Sequence, residues 1–297
     1  MTVRRDRLDL GAIALLLVVA AAIGGQQTAI KFAGQGAAPL FLAGLRAAAA
    51  ALCLAALVAA RGGPLLRRDE TRGPGVLIGC TGAIQFALLF VALEYTTAAR
   101  ATVFMYAAPL LIAGAAHLFV PGERMRPAQF AGLAIAFLGL PVAFADRLGE
   151  GGMGWLGDAL AFAAAFAWAA TVLVMRASAL IEGDPARTLF YQMGFSAPIL
   201  FAFSAVAGEE WTIAPTMPAV LGFAYLVGAV VCFGFVAWTW LLARYPAADV
   251  AAFSFFTPVF GVAAGALALD ESLGLPLLLG LALVSAGIVL VSRRPPR

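Results

Sequence analysis

PLLIAGAAHLFVPGERMRP (residues 109–127) and PVFGVAAGALALDESLGLP (residues 258–276) are passages of one chain, and their likeness decides how the whole is read. Each runs 18 residues from proline to proline, from 109 to 127 and from 258 to 276. An acidic residue, Glu123 or Glu271, stands before the second proline. A glycine-rich apolar run follows in each, FAGLAIAFLGLPVAF and LLGLALVSAGIVLV. Upstream, Tyr95 and Tyr245 introduce the matching segments. Lys31 matches Arg176 at a shift of 145, and Pro39 and Arg46 match Pro185 and Gln192 at a shift of 146. The chain therefore reads as two copies of one unit, residues 1–146 and 147–297.

Composition says what the unit is made of. Of the 297 residues 63% are hydrophobic and only 12% charged, with a mean hydropathy of +0.97. A soluble domain is about 45–50% apolar and about 25% charged. A spanning helix needs roughly 20 apolar residues. Ten such segments are predicted, at 10–31, 38–60, 74–94, 98–120, 127–145, 155–177, 187–207, 217–242, 247–269 and 274–292. Lipid offers no partner for a backbone amide, and the runs are too long and too little alternating for barrel strands, so they must be helices. Each unit holds five, an odd number, so the copies are oppositely oriented. The fold class expected is an all-α membrane protein of ten transmembrane helices, two inverted five-helix repeats around a central cavity.

Basic residues set the orientation. Fifteen of the 19 Lys and Arg fall on one side, in the N-terminus, the connections holding Arg61–Arg72, Arg124–Arg126, Arg176–Arg187 and Arg244, and the C-terminus. Lys31, Arg100 and Arg147 fall on the other, and Arg46 lies within a span. The positive side faces the cytoplasm, so both termini are predicted cytoplasmic. The basic, apolar start resembles a signal peptide, but the apolar run and the many spans after it favour a first membrane span. Dispersed basic residues exclude a nucleic-acid surface. Cys53, Cys80 and Cys232 all lie in apolar runs and predict no structural disulfide. Glu94 and Arg100 fall at the turn between spans 3 and 4, where water and headgroups are expected to solvate them; a gating role is the other reading.

The passage ALEYTTAARATVFMYAAPLLIAGAAHLFVPGERMRPAQFAGLAIAFLGL (92–140) combines a Tyr-Thr-x-Ala-type turn, a proline in span 4, a Glu-Arg turn and a glycine-rich span 5. In this it resembles the EamA-type branch of the drug/metabolite transporter superfamily, with residues 245–291 as a weaker second copy. Within the family it is most similar to YddG-type exporters of aromatic amino acids. It departs from many relatives in span 1, where AAIGGQQTAIKF lacks their tryptophan before the glycine. The resemblance implies a multi-pass protein of the bacterial inner membrane that works without a cofactor.

Polar residues inside a membrane are expensive and default to function. The expected substrate-binding set is Gln85, Tyr106, Trp168, Gln27, Arg46 and Gln192, drawn from a wider group that includes Gln26, Thr28, Tyr225 and Thr257. Gln85 and Trp168 lie nearest the middle of their spans. Gln85 also reads as an interhelical hydrogen bonder, and Arg46 as a snorkelling side chain. Trp238, Trp240 and Tyr245 fit an interfacial belt, and His117 fits packing. Thr171, Ser254 and Thr257 are expected to bond their own helix carbonyls. Pro109 and Pro258, at equivalent positions, are the expected hinges.

No carboxylate lies near the centre of a span; Glu94, Asp158 and Asp249 are all near span ends. That favours facilitated or weakly coupled transport over a proton-driven carrier. Arg46 is the one buried cation expected, too few for phosphate-bearing substrates. No catalytic array and no metal motif is present, which argues against an enzyme. The reading is a secondary transporter, a monomer in the lipid bilayer, exporting small amino-acid-like metabolites, aromatic or neutral ones, by alternating access. Other small drugs or metabolites, or a channel-like pore, are the alternatives.

Overall fold

The computed structural model describes residues 9–66, 69–119, 126–145, 152–245, 250 and 253–292. Among the described residues all regular structure is helical. Span 1 comprises Leu10–Gly24 and Gln26–Gly34, span 2 Pro39–Ala60, span 3 Arg72–Tyr95, and span 4 Ala98–Met105 and Ala108–Phe119. Span 5 is Pro127–Phe144, span 6 Gly154–Arg176 and span 7 Pro185–Val206. Span 8 runs from Met217 to Arg244 through a π-helical stretch, Tyr225–Phe235. Span 9 is a 3₁₀ turn, Phe253–Phe255, followed by Phe256–Leu269, and span 10 is Leu275–Ser292. Of the residues expected to start span 9, 247–249, 251 and 252 lie outside the described residues, as do Glu123 and Arg147. Seven spans are long and apolar enough to cross a bilayer; spans 5, 9 and 10 are shorter apolar helices.

Local chemistry starts these helices. Pro39, Pro127 and Pro185 each stand at a helix beginning, where the missing N–H costs nothing and the fixed φ is already helical. The side chains of Asp9, Thr97, Asp184 and Thr216 accept from first-turn amides, meeting donors that would otherwise stay unpaired.

The packing follows the repeat. Span 5 lies against span 10, span 2 against span 7 and span 4 against span 9. Span 3 packs on span 6 and span 8 on span 1, which is one contact made twice with the halves exchanged. This is the pattern that two inverted five-helix repeats produce. Glycines bring spans 5 and 10 together at matched positions. A Cβ on Gly139 would sit 2.9 Å from the Gly280 carbonyl oxygen, and one on Gly287 only 2.5 Å from that of Gly132. Without a hydrophobic drive inside lipid, such backbone approach is the main source of helix–helix attraction. Gly261 and Gly24 do the same where spans 9 and 1 cross.

Three carboxylates join the halves at the arginine-poor end of the bundle. Glu271, after span 9, accepts from the amides of Ala98 and Ala99 at 2.7 and 2.9 Å and so caps span 4. Glu209, after span 7, accepts from Leu40 and Phe41 at 3.0 and 2.8 Å and caps span 2. Trp211 closes that connection by stacking on Phe41 with ring centroids 5.4 Å apart. The third is Asp158 in span 6, which takes Arg100 of span 4 with Nη2–Oδ2 at 2.6 Å and Nε–Oδ2 at 3.0 Å.

Solvation of Glu94 and Arg100 is therefore correct for Glu94 alone, which is exposed. Arg100 is buried, 4% exposed, and it is a second interior cation beside Arg46. Its counter-charge comes from a residue 58 positions away, and Thr96 donates a further hydrogen bond to the same carboxylate. Removing one partner strands the other in low dielectric, at a cost of about 3–5 kcal/mol. Asp158→Ala is expected to lower the apparent melting temperature in detergent markedly. The Arg100→Ala/Asp158→Ala double variant should recover part of that loss; an equal or larger loss in the double variant would show that the pair is not acting through charge compensation.

Candidate functional site

Several spans are not continuous helices, and their interruptions sit inside the bundle. Span 1 breaks at Gly25, where an added Cβ would lie 2.6 Å from the Tyr225 hydroxyl. That hydroxyl, at the start of the π-helical stretch of span 8, donates to the Ala22 carbonyl at 2.9 Å. Span 4 breaks at Tyr106–Ala107, just before Pro109. Proline cannot donate to the carbonyl four residues back, so the regular ladder stops there. Span 9 changes from 3₁₀ to α-helix at Phe256, just before Pro258. The two prolines named from the sequence thus mark equivalent irregularities in the two repeats.

Beside the first break lies Arg46. It sits seven residues into span 2, about 10 Å from the arginine-poor end at helical rise. It is 0% exposed, so it does not snorkel. Its guanidinium lies over the ring of Phe86 at 4.6 Å and 6.0 Å from that of Phe90. Nη2 donates to Gln26 Oε1 at 3.5 Å, while Nε and Nη1 have no hydrogen-bond partner among the described residues. Gln26 rather than Gln27 meets Arg46; Gln27 is buried next to it in span 1. Gln85, the chain neighbour of Phe86, is buried with its Oε1 unpartnered, and Thr28 Oγ1 is in the same condition. Spans 1, 2 and 3 supply these groups and pack together there.

A cavity of about 320 Å³ is lined by residues of spans 1, 2 and 3 and by Leu269. Lys31 and Glu94 stand at its rim, and Leu42, Phe90, Leu93 and Leu269 form apolar wall. Leu42 and Phe90 lie one helical turn from Arg46 and Phe86 respectively, so the cavity wall reaches within a turn of the guanidinium's neighbours along spans 2 and 3.

A second cluster forms at the break in span 4. The rings of Tyr106 and Trp168 meet edge to face, with centroids 6.2 Å apart. The Tyr106 hydroxyl also faces the Thr257 side chain, beside Pro258 of span 9. Gln192 is buried against Gly82 of span 3, where an added Cβ would come within 3.1–3.2 Å of the Gln192 side chain. Gln85 lies three residues further along that helix. Of the six expected residues, then, Tyr106 and Trp168 touch, Arg46 and Gln27 border one another through Gln26, and Gln192 of span 7 packs on span 3 at Gly82, three residues before Gln85.

The remaining residues take structural places. Thr171 donates to the Ala167 carbonyl of its own helix at 3.0 Å. His117 packs edge-on to Phe130 at 4.9 Å, Arg244 lies over Trp240 at 4.4 Å, and Tyr245 donates to Asp9 at 3.2 Å. The side chain of Ser254, and Asp249 entirely, lie outside what is described. Among the described residues no cluster of metal-ligating side chains is present. Sequence reasoning missed Phe86 and Phe90, because two phenylalanines among 22 carry no signal. It also missed the partners of Arg100 and Glu271, although the recurrence of Glu271 with Glu123 was a visible clue.

The EamA-like transporter family model matches twice, at residues 10–145 and 155–293. A protein of Escherichia coli named "Probable amino-acid metabolite efflux pump" is 31% identical over 285 residues, covering 94% of this chain and 93% of its own. Its Salmonella typhimurium namesake is 31% identical over 287 residues, with the same shares covered. The "Uncharacterized transporter YvbV" of Bacillus subtilis is 27% identical over 261 residues, covering 86% of this chain and 83% of its own. A solved crystal structure superposes with a TM-score of 0.68 at 22% identity, over 95% of this chain and 97% of that one, and so shares the fold. Two family matches in tandem, on the two halves of an inverted repeat, and relatives of equal length make this chain a member of the EamA-like transporter family, a membrane transporter of small metabolites and not an enzyme.

Proposed function

We propose that this protein exports amino-acid-like metabolites, foremost aromatic and neutral amino acids, by alternating access. The observation that carries the reading is the meeting of two repeat-related irregularities inside the bundle. Tyr106, at the break of span 4, faces Thr257 at the irregular start of span 9, and Trp168 lies against the same ring. Interrupted helices at a repeat interface supply a binding site and bending points together. Aromatic faces and amides suit a ligand with an apolar ring and a zwitterionic head. The names of the relatives at 31% identity support the amino-acid class.

In this reading the arginine-rich side, with both termini, faces the bacterial cytoplasm. The cavity between Lys31 and Glu94 then opens outward, and one chain suffices because it holds both repeats. Gln85, Tyr106, Trp168, Gln27, Arg46 and Gln192 line the path, and Pro109 and Pro258 are the bending points. Transport is facilitated, since the buried carboxylate among the described residues, Asp158, is held by Arg100.

Proteoliposomes holding only this protein, loaded with labelled phenylalanine, tryptophan, methionine or threonine, provide the test. Saturable efflux of the aromatic residues, with counterflow and no pH gradient, is expected. Flux linear in concentration without counterflow would indicate a pore, and flux only with a gradient would overturn the facilitated mechanism. Trp168→Ala should raise the half-saturating concentration of phenylalanine about 3–10-fold, the value of one aromatic pair. Pro109→Ala restores a helix hydrogen bond and should slow efflux severalfold while leaving affinity for phenylalanine unchanged; unaltered flux would remove the hinge.

A further inference from the structure

We propose that Arg46 is the docking group for the substrate's carboxylate, so that the site takes carboxylate-bearing metabolites and rejects the corresponding amines and amides. This rests on the transport reading above and names the chemical group that the site selects.

The protein contains its own standard of comparison. Arg100 and Arg46 are both buried, at 4% and 0% exposure. Arg100 is matched by a carboxylate at 2.6 and 3.0 Å, as a structural arginine in low dielectric has to be. Arg46 has no such partner among the described residues. Its one hydrogen bond, to Gln26, is 3.5 Å long, the outer limit for such a contact. The guanidinium offers two edges to a carboxylate, Nε with Nη2 and Nη1 with Nη2. Each edge keeps a nitrogen with no partner. The rings of Phe86 and Phe90 receive part of the charge, but a phenylalanine face is the weak form of that interaction and supplies no hydrogen-bond acceptor. What is missing is an anion with two planar oxygens, the shape that arginine binds best.

The surroundings extend the assignment to a zwitterion. Gln85 Oε1 is a buried carbonyl oxygen with no donor, and Thr28 Oγ1 a buried hydroxyl with no partner. They lie on spans 3 and 1, which also supply the Phe86 and Gln26 contacts of Arg46, so each neighbour of span 2 offers an acceptor for an ammonium group. The cavity of about 320 Å³ has Leu42, one helical turn from Arg46, in its wall. Phe90 belongs both to its wall and to the surroundings of Arg46.

The test uses purified full-length protein in detergent. Its melting temperature is followed with L-phenylalanine, 3-phenylpropionate, phenylalaninamide and phenethylamine, for the wild type, Arg46→Gln and Arg46→Lys. The wild type is expected to be stabilised by phenylalanine and phenylpropionate, with the amide and the amine binding at least tenfold more weakly. Ligand-free Arg46→Gln should melt at or above the wild type, because an uncompensated buried charge is gone, and should lose the shift with either acid. Arg46→Lys, which keeps the charge but not the fork, should fall between. The assignment is overturned if no carboxylate shifts the wild type, if the amide or amine binds as well as the acid, or if Arg46→Gln retains the acid shift. Should Arg46→Gln not fold, the wild-type ligand series decides alone. Equal efflux of acid and amide from proteoliposomes would leave the export reading standing and remove Arg46 from it. Stabilisation by phenylpropionate through Arg46, with no amino-acid efflux, would do the reverse.

Discussion

Hydrocarbon offers no partner to a polar group, and this bundle is arranged around that constraint. The ends of its helices are met by side chains from other spans. Glu271 caps span 4, Glu209 caps span 2, and Asp158 holds Arg100. In all three the carboxylate belongs to the second repeat and its partner to the first, and all three lie at one end of the molecule. Satisfying polar groups and joining the two halves are here the same act.

Elsewhere the halves meet through absence of side chains. Gly132 and Gly139 face Gly287 and Gly280, and Gly24 faces Gly261, at distances that no Cβ would permit. Contacts of this kind are close but carry little polar adhesion. Together with the irregular backbone before Pro109 and Pro258, they describe a bundle held by charge at one end and by shape through its middle.

Against this background the groups left unsatisfied gain meaning. Most buried polar groups are paired in a native fold, and each exception needs a reason. Arg46, Gln85, Thr28 and Ser285 are exceptions among the described residues, and the first three sit on spans 1, 2 and 3, which pack together. The same economy that pairs Arg100 with Asp158 would have paired Arg46, had its task been structural.

The amino-acid sequence by itself determined the ten spans, their inverted five-and-five grouping and the family, because apolar length, odd span number and recurring prolines are local or periodic signals. It also picked out Arg46, Tyr106, Trp168 and Gln85 as costly residues for lipid. Pairing was left to the tertiary structure. Nothing local in the chain assigns Asp158 to Arg100 across 58 positions, Gln26 to Arg46 across 20, or Glu271 to the amide of Ala98 across 173. Such partners are chosen by which helices cross and at what depth. That is why Arg100, read from its neighbours as a solvated turn residue, proved to be buried, and why Arg46 could be recognised as a buried cation with no anion among the described residues only once the helices around it were in place.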